Sequence, residues 1–112
     1  MATARAIFQA HVDGLYPESI PLDYQWSFLA AVGQLQTVTL ANGDNTLTIP
    51  AVTTLIGIKP PVANGNTLKL KGAGGDTGFT LQPNLPFLLT YFGGNVIINS
   101  AGTTAGVQLL FL

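Results

Sequence analysis

Apolar and polar residues alternate in short runs along most of the chain from residue 37 onward. The clearest run is residues 66–71, in which Leu68 and Leu70 alternate with Lys69 and Lys71. A period of two places the leucines on one face of a strand and the lysines on the other, which is typical of a half-buried strand. No segment in this part of the sequence has the 3.6-residue apolar period of an amphipathic helix.

Turn residues divide this region into about eight short strands, a pattern typical of β-sandwiches and barrels. The predicted strands are residues 37–41, 45–49, 54–59, 66–71, 79–81, 87–91, 95–99 and 107–112. The first two are predicted to form a hairpin, and Gly93-Gly94 is predicted to be the tight turn of another hairpin. The predicted fold is therefore all-β, a single antiparallel β-sandwich or jelly roll with an N-terminal arm or extra strands.

The first 36 residues are less regular and allow two interpretations. Residues 4–12 alternate and predict a strand, whereas residues 20–32 fit either a strand or a short helix. The segment is then either an arm that packs on a neighbouring molecule or a source of extra strands for the same sandwich. We therefore divide the chain into residues 1–36, the arm or first strands, and residues 37–112, the sandwich core.

Charged side chains are scarce, and this scarcity argues against several functions. Only 8% of the 112 residues are charged, against about 25% in an ordinary soluble domain. Because the chain has no basic stripe, we expect no binding to nucleic acid. Prolines and glycines interrupt its long uncharged runs, so no membrane-spanning helix is predicted. A weakly charged surface favours association, and a homo-oligomer is expected.

No residue pattern predicts an enzyme, a cofactor or a metal site. The chain has no cysteine, and its only histidine, His11, cannot form a two-histidine metal site alone. The triplet Asp76-Thr77-Gly78 resembles the catalytic triplet of aspartic proteases, but glycine-rich residues 72–75 precede it instead of an apolar strand. We prefer a loop in which Asp76 forms an Asx-turn, and keep a viral-type aspartic protease as a remote alternative.

Aromatic residues in the N-terminal segment are candidates for contact with a partner. If residues 24–28 form a strand, Tyr24, Trp26 and Phe28 share one face. Such a stripe belongs to a core, to a protein interface or to a carbohydrate site. The residues predicted to contact a partner are Ile7, Phe8, Tyr24, Trp26, Phe28, Phe111 and Leu112.

Residues 37–112 resemble, in texture, the small β-sandwich virion proteins of tailed bacteriophages, such as head decoration, spike-base or fibre-base, and tail accessory subunits. The resemblance rests on residues 66–78, on the proline-rich residues 81–88 and on residues 96–112. It implies a structural protein of the virion that forms symmetric oligomers, binds other virion proteins and needs no cofactor. The alternative function is a carbohydrate- or receptor-binding β-sandwich module.

Overall fold

A computed structural model of the chain describes residues 3–8, 24–29, 33–62 and 65–112. These residues form ten strands and no helix, and all strand pairs are antiparallel. The chain divides into two units, Met1–Ala31 and Val32–Leu112. The division falls a few residues before the boundary that the sequence pattern predicts.

The first unit contains a two-stranded antiparallel sheet. It is formed by β1 (Thr3–Phe8) and β2 (Tyr24–Leu29), which among the described strands pair only with each other. The predicted strand in residues 4–12 is therefore found in Thr3–Phe8. Of the two interpretations of residues 20–32, the strand is the correct one for Tyr24–Leu29.

The second unit is a sandwich of two four-stranded antiparallel sheets. Its strands are β3 (Gln34–Leu40), β4 (Gly43–Thr46), β5 (Leu55–Lys59), β6 (Leu68–Lys71), β7 (Phe79–Thr80), β8 (Phe87–Thr90), β9 (Ile97–Ser100) and β10 (Thr104–Phe111). Sheet I has the order β3-β10-β5-β8, and sheet II has the order β4-β9-β6-β7. The prediction of an all-β antiparallel sandwich with about eight short strands is confirmed.

Alternate residues of the strands form the core between the two sheets. Leu68 and Leu70 of β6 are buried as predicted, while Lys69 and Lys71 face outward. The other strands that contribute most to the core are β5, β9 and β10, through Ile56, Ile58, Ile98, Val107, Leu109 and Phe111. Full burial of such a side chain contributes about 1.5–3 kcal/mol, so this core is the main source of stability.

Both predicted hairpins are wrong, because their strands belong to different sheets. β3 pairs with β10, whereas β4 pairs with β9. Asn45 explains why the chain passes from sheet I to sheet II between β3 and β4. Its side chain accepts the Ala41 N–H at 3.0 Å and donates to the Ala41 and Ile98 carbonyls at 2.9 and 3.2 Å. The amide thus supplies bonds that a neighbouring strand would otherwise make, and the chain turns from sheet I to sheet II. Gly93-Gly94, with φ of 140° and 93°, similarly joins β8 of sheet I to β9 of sheet II.

Candidate interaction surfaces

The N-terminal hairpin gathers its aromatic positions on one face, which we call the aromatic face. Alternate positions of a strand lie on the same face, and antiparallel partners share it. The register aligns three pairs of positions there: Phe8 with Tyr24, Ala6 with Trp26, and Ala4 with Phe28. Because Tyr24–Leu29 is a strand, positions 24, 26 and 28 lie on one face of it, and the register places position 8 on the same face.

The opposite face of the hairpin holds smaller and more polar positions. Ile7 is aligned with Gln25, and Arg5, which is exposed, is aligned with Ser27. Ile7 and Phe8 are both predicted to contact a partner, but they lie on opposite faces.

The two C-terminal residues predicted at an interface occupy different positions. Phe111 is 1% exposed and lies in the core between the sheets, so it is not presented at the surface. Leu112 is half-buried, and its carbonyl accepts the backbone N–H groups of Thr54 and Leu55 at 2.6 and 3.0 Å. The end of the described chain is thus held in the sandwich beside the start of β5.

The outer face of sheet I carries an apolar row across its four strands, with a leucine on three strands and a glycine on the fourth; we call it the leucine row. The register places Leu110 between Leu35 and Gly57, and Gly57 beside Leu88. Leu35 is 67% exposed and Leu88 is 46% exposed. A Cβ on Gly57 would lie 3.4 Å from the Leu110 Cβ and 3.5 Å from the Leu88 Cδ2, so Gly57 forms the floor of a shallow apolar groove. A contiguous exposed apolar row, unlike scattered leucines, is a candidate contact surface.

The two long sides of the sandwich differ in how they are closed. At the β7/β8 side, the rings of Phe79 and Phe87 lie with their centroids 5.4 Å apart and bridge the two sheets. At the β3/β4 side, a groove of about 410 Å³ opens between the sheets. Gln34, Gln36 and Thr46 lie among its polar residues, above an apolar floor that includes Phe111. The sandwich is therefore open along the β3 edge.

At one end of the sandwich lie an exposed valine with a strained backbone and a fully exposed phenylalanine. Val52 has φ 62°, in the left-handed region that β-branched residues avoid, and is 71% exposed. Phe92 is fully exposed, and together with Tyr91 and residues 49–54 it lines a depression of about 450 Å³. Strained backbone is often found at ligand sites, which makes this end a second candidate surface.

The outer face of sheet II is polar and is tied to the glycine-rich loop. Lys71 Nζ lies 2.8 Å from Asp44 Oδ1 and donates to the Gly74 carbonyl at 3.0 Å. Asn99 donates to the same Asp44 oxygen at 2.7 Å. The hydrogen bond from Lys71, and then that from Asn99, lowers the pKa of Asp44 below its ordinary value. The Lys71 side chain, only 8% exposed, thus joins Asp44 of β4 to the Gly74 carbonyl, and these bonds hold the loop onto the sheet.

Asp76 closes its own loop. Its carboxylate accepts the Ala73 N–H at 2.9 Å, and its N–H donates to the Ala73 carbonyl at 3.0 Å. The bond runs back to Ala73, three residues earlier, instead of forward as in the expected Asx-turn. Asp76 is exposed and engaged locally, so its position lends no support to the aspartic protease alternative.

Within the described ranges, no group of three or more potential ligands is arranged to hold a metal ion. The same part of the chain contains no helix long and apolar enough to cross a membrane.

His11 lies outside the described residues. Comparisons with protein-family models, with curated proteins and with solved structures find no match to this chain.

The leucine row on sheet I was not predicted from the sequence, although the sequence contains a signal for it. Leu88 and Leu110 lie in continuous apolar runs, Phe-Leu-Leu and Leu-Leu-Phe-Leu, in which strict alternation fails. An apolar run in a strand with one face in the core implies that some leucines face outward. Leu35 was missed because β3 begins at Gln34, before the predicted strand of residues 37–41.

Proposed function

We propose that this chain is a structural subunit of a virion, which assembles with copies of itself and with other virion proteins. The observation that carries the proposal is the aromatic face of the N-terminal hairpin. A two-stranded hairpin alone is marginally stable in water and needs a further surface on which to pack. Aromatic residues provide much of the binding energy at protein interfaces, so a neighbouring subunit suits this face.

The charge distribution supports the same proposal. Lys59 is the only charged residue within the strands of sheet I. Elsewhere in the sandwich, Lys71 and Asp44 form an ion pair and partly neutralise each other. The cores of protein interfaces are depleted of charged residues, and sheet I meets that condition. In a symmetric assembly each contact is repeated many times, so modest contacts suffice.

Matched variants on the two faces of the hairpin test the proposal. We expect Phe8→Ser and Trp26→Ser to lower the mass of the assembly in solution, measured by light scattering, because each variant lacks an aromatic side chain that contacts the neighbouring subunit. Ile7→Ser, on the opposite face, is the control and should leave the mass unchanged. If Trp26→Ser lowered only the melting temperature and left the mass of the assembly intact, the aromatic face would not be a subunit contact.

The virion part of the proposal needs its own measurement. Quantitative mass spectrometry of purified particles from the source of this chain should detect it at a fixed number of copies per particle. Particles that are complete in their major proteins but lack this chain would contradict a virion location.

Recognition of a carbohydrate or receptor is the alternative function, and one observation favours it. The exposed ring of Phe92 beside the depression at Tyr91 offers an apolar face on which a sugar ring can stack. Under this alternative a glycan array shows specific binding that Phe92→Ala abolishes. Binding that does not depend on Phe92 would exclude this end of the sandwich as the recognition site.

A further inference from the structure

The outer edge of β3 lacks the features that normally keep sheet edges from pairing. An edge strand presents a row of unpaired backbone N–H and C=O groups to another chain. β3 has seven residues, Gln-Leu-Gln-Thr-Val-Thr-Leu, with no charge and no proline. It pairs with β10 on one side, and no described strand pairs with its other side.

The other three edges of the sandwich are protected in the usual ways. β7 has only two residues, and β8 has four and follows Pro86. β4 also has four residues, and one of them is the charged Asp44. Short length, proline and charge all discourage edge-to-edge pairing. β3 is thus the exception among the four edges.

We propose that the outer edge of β3 pairs antiparallel with β3 of a second copy of this chain, across a two-fold axis. This inference rests on the proposed function, because it names one of the contacts by which the subunits assemble. The two copies of sheet I would then form one continuous eight-stranded sheet. The partner at this edge is recognised by backbone hydrogen bonds, and the side chains fix the register.

A second copy is the occupant that the strand itself selects. Antiparallel pairing about a two-fold axis presents the same strand to itself, which is the self-complementary geometry of symmetric dimers. Because β3 carries no charge, no like charges meet across the axis. Thr37 and Thr39 face outward beside Leu35, and threonine pairs opposite each other favourably in antiparallel sheets.

The same arrangement accounts for the two unusual surfaces next to β3. A two-fold axis perpendicular to the sheet keeps both outer faces of sheet I on the same side. The leucine rows that begin at Leu35 in each copy therefore join the same apolar surface. On the inner side, the open grooves at Gln34 and Gln36 of the two copies meet beneath the paired strands.

Cysteine scanning tests the pairing directly, because the chain has no cysteine of its own. Single cysteines are placed at each position from 35 to 39, and Thr90→Cys serves as the control. Thr90 is exposed on the same outer face, on β8 at the opposite edge of sheet I. A disulfide needs Cα atoms about 4.4–6.8 Å apart. For a residue two positions from the axis, the Cα atoms of the two copies lie about 13 Å apart along the strand, which is too far for a disulfide.

We expect one position of β3, or two adjacent ones, to form a disulfide-linked dimer under mild oxidation, while Thr90→Cys does not. If all seven residues of β3 pair, the axis lies at the central residue, Thr37. In parallel, Thr37→Lys should therefore weaken the dimer about ten-fold or more by opposing like charges at the axis. Thr90→Lys should leave it unchanged. Circular dichroism is used to check that both lysine variants are folded. The crosslinking experiment uses only the cysteine variants and is independent of this check.

Crosslinking that is equal at all five positions, or stronger at Thr90, would overturn the inference. A Thr37→Lys dimer as tight as the wild type would also overturn it. The proposed function is judged separately, by the mass of the Trp26→Ser variant and by the composition of the particles. Failure at β3 alone therefore leaves assembly through the aromatic face standing.

Discussion

Val52 stands in a backbone conformation that costs free energy, and replacing it should raise stability. Its φ of 62° places a β-branched residue in the left-handed region, where an L-residue loses about 1–2 kcal/mol. Asparagine adopts this conformation more readily, so Val52→Asn relieves the strain. Asn84, exposed and with φ 60°, provides the reciprocal test, because Asn84→Val introduces the same strain at a second site.

The magnitude follows from how little of Val52 is covered. Val52 is 71% exposed, so less than a third of its surface is covered by contacts that the substitution could remove. Full burial of a valine contributes about 1.5–3 kcal/mol, so the lost part is below about 0.5–1 kcal/mol. After this loss is subtracted from the strain, Val52→Asn should raise the free energy of unfolding by about 0.5–1 kcal/mol. Asn84→Val should lower it by about 1 kcal/mol.

Urea unfolding of the wild type and the two variants measures both changes. We expect the midpoints to move in opposite directions while the m-value stays constant, which identifies the change as one of stability. In thermal melts, each kcal/mol should shift the midpoint by roughly 4–8 °C for a unit of this size. A Val52→Asn protein that is less stable than the wild type would contradict the presence of backbone strain at Val52. An Asn84→Val protein of unchanged stability would contradict the cost assigned to this conformation.

Three further predictions concern the loop and the sheets. Gly78→Ala should lower stability by about 2–4 kcal/mol in urea titrations, because φ is 72° and the added Cβ would lie 2.5 Å from the Leu70 carbonyl oxygen; a loss below about 1 kcal/mol would contradict this. The folded-state pKa of Asp44 is lowered. Its ionised carboxylate therefore stabilises the fold above the unfolded-state pKa, and this stabilisation is lost as the pH falls through the folded-state pKa. Wild-type stability should therefore decline in acid, and Asp44→Asn and Lys71→Met should each flatten that decline in melts recorded at several pH values; an unchanged slope would show that the pair does not contribute. Gly57→Ala should raise stability by about 0.4–1 kcal/mol by restricting the unfolded chain, since its Cβ meets only ordinary contacts; destabilisation would mean that the leucine row cannot accept a methyl group.

Local alternation predicted the fold class and the inward residues of β6, because the period of two is a property of the strand itself. Leu68 and Leu70 face the core as expected, since lysines occupy the positions between them. The C-terminal run Leu109 to Leu112 is apolar at every position and does not reveal which residues face inward. The structure buries Leu109 and Phe111, so Phe111 lies in the core instead of at the predicted contact.

The remaining errors concern features that local sequence does not encode. Gln34 and Gln36 sit at inward positions of β3, but they line an open groove and are polar, which conceals the start of the strand. Which sheet a strand joins depends on distant partners, as the crossing at Asn45 shows through its bond to Ile98. The leucine row likewise exists only when four separated strands are aligned.

Self-assembly of the unmodified chain is measured by light scattering, which gives its mass in solution across a dilution series. We predict an assembly with a defined multiple of the 11.7 kDa chain mass, which persists over a wide range of concentration and dissociates only at high dilution. A mass of 11.7 kDa at every concentration would contradict self-assembly through the aromatic face and through β3.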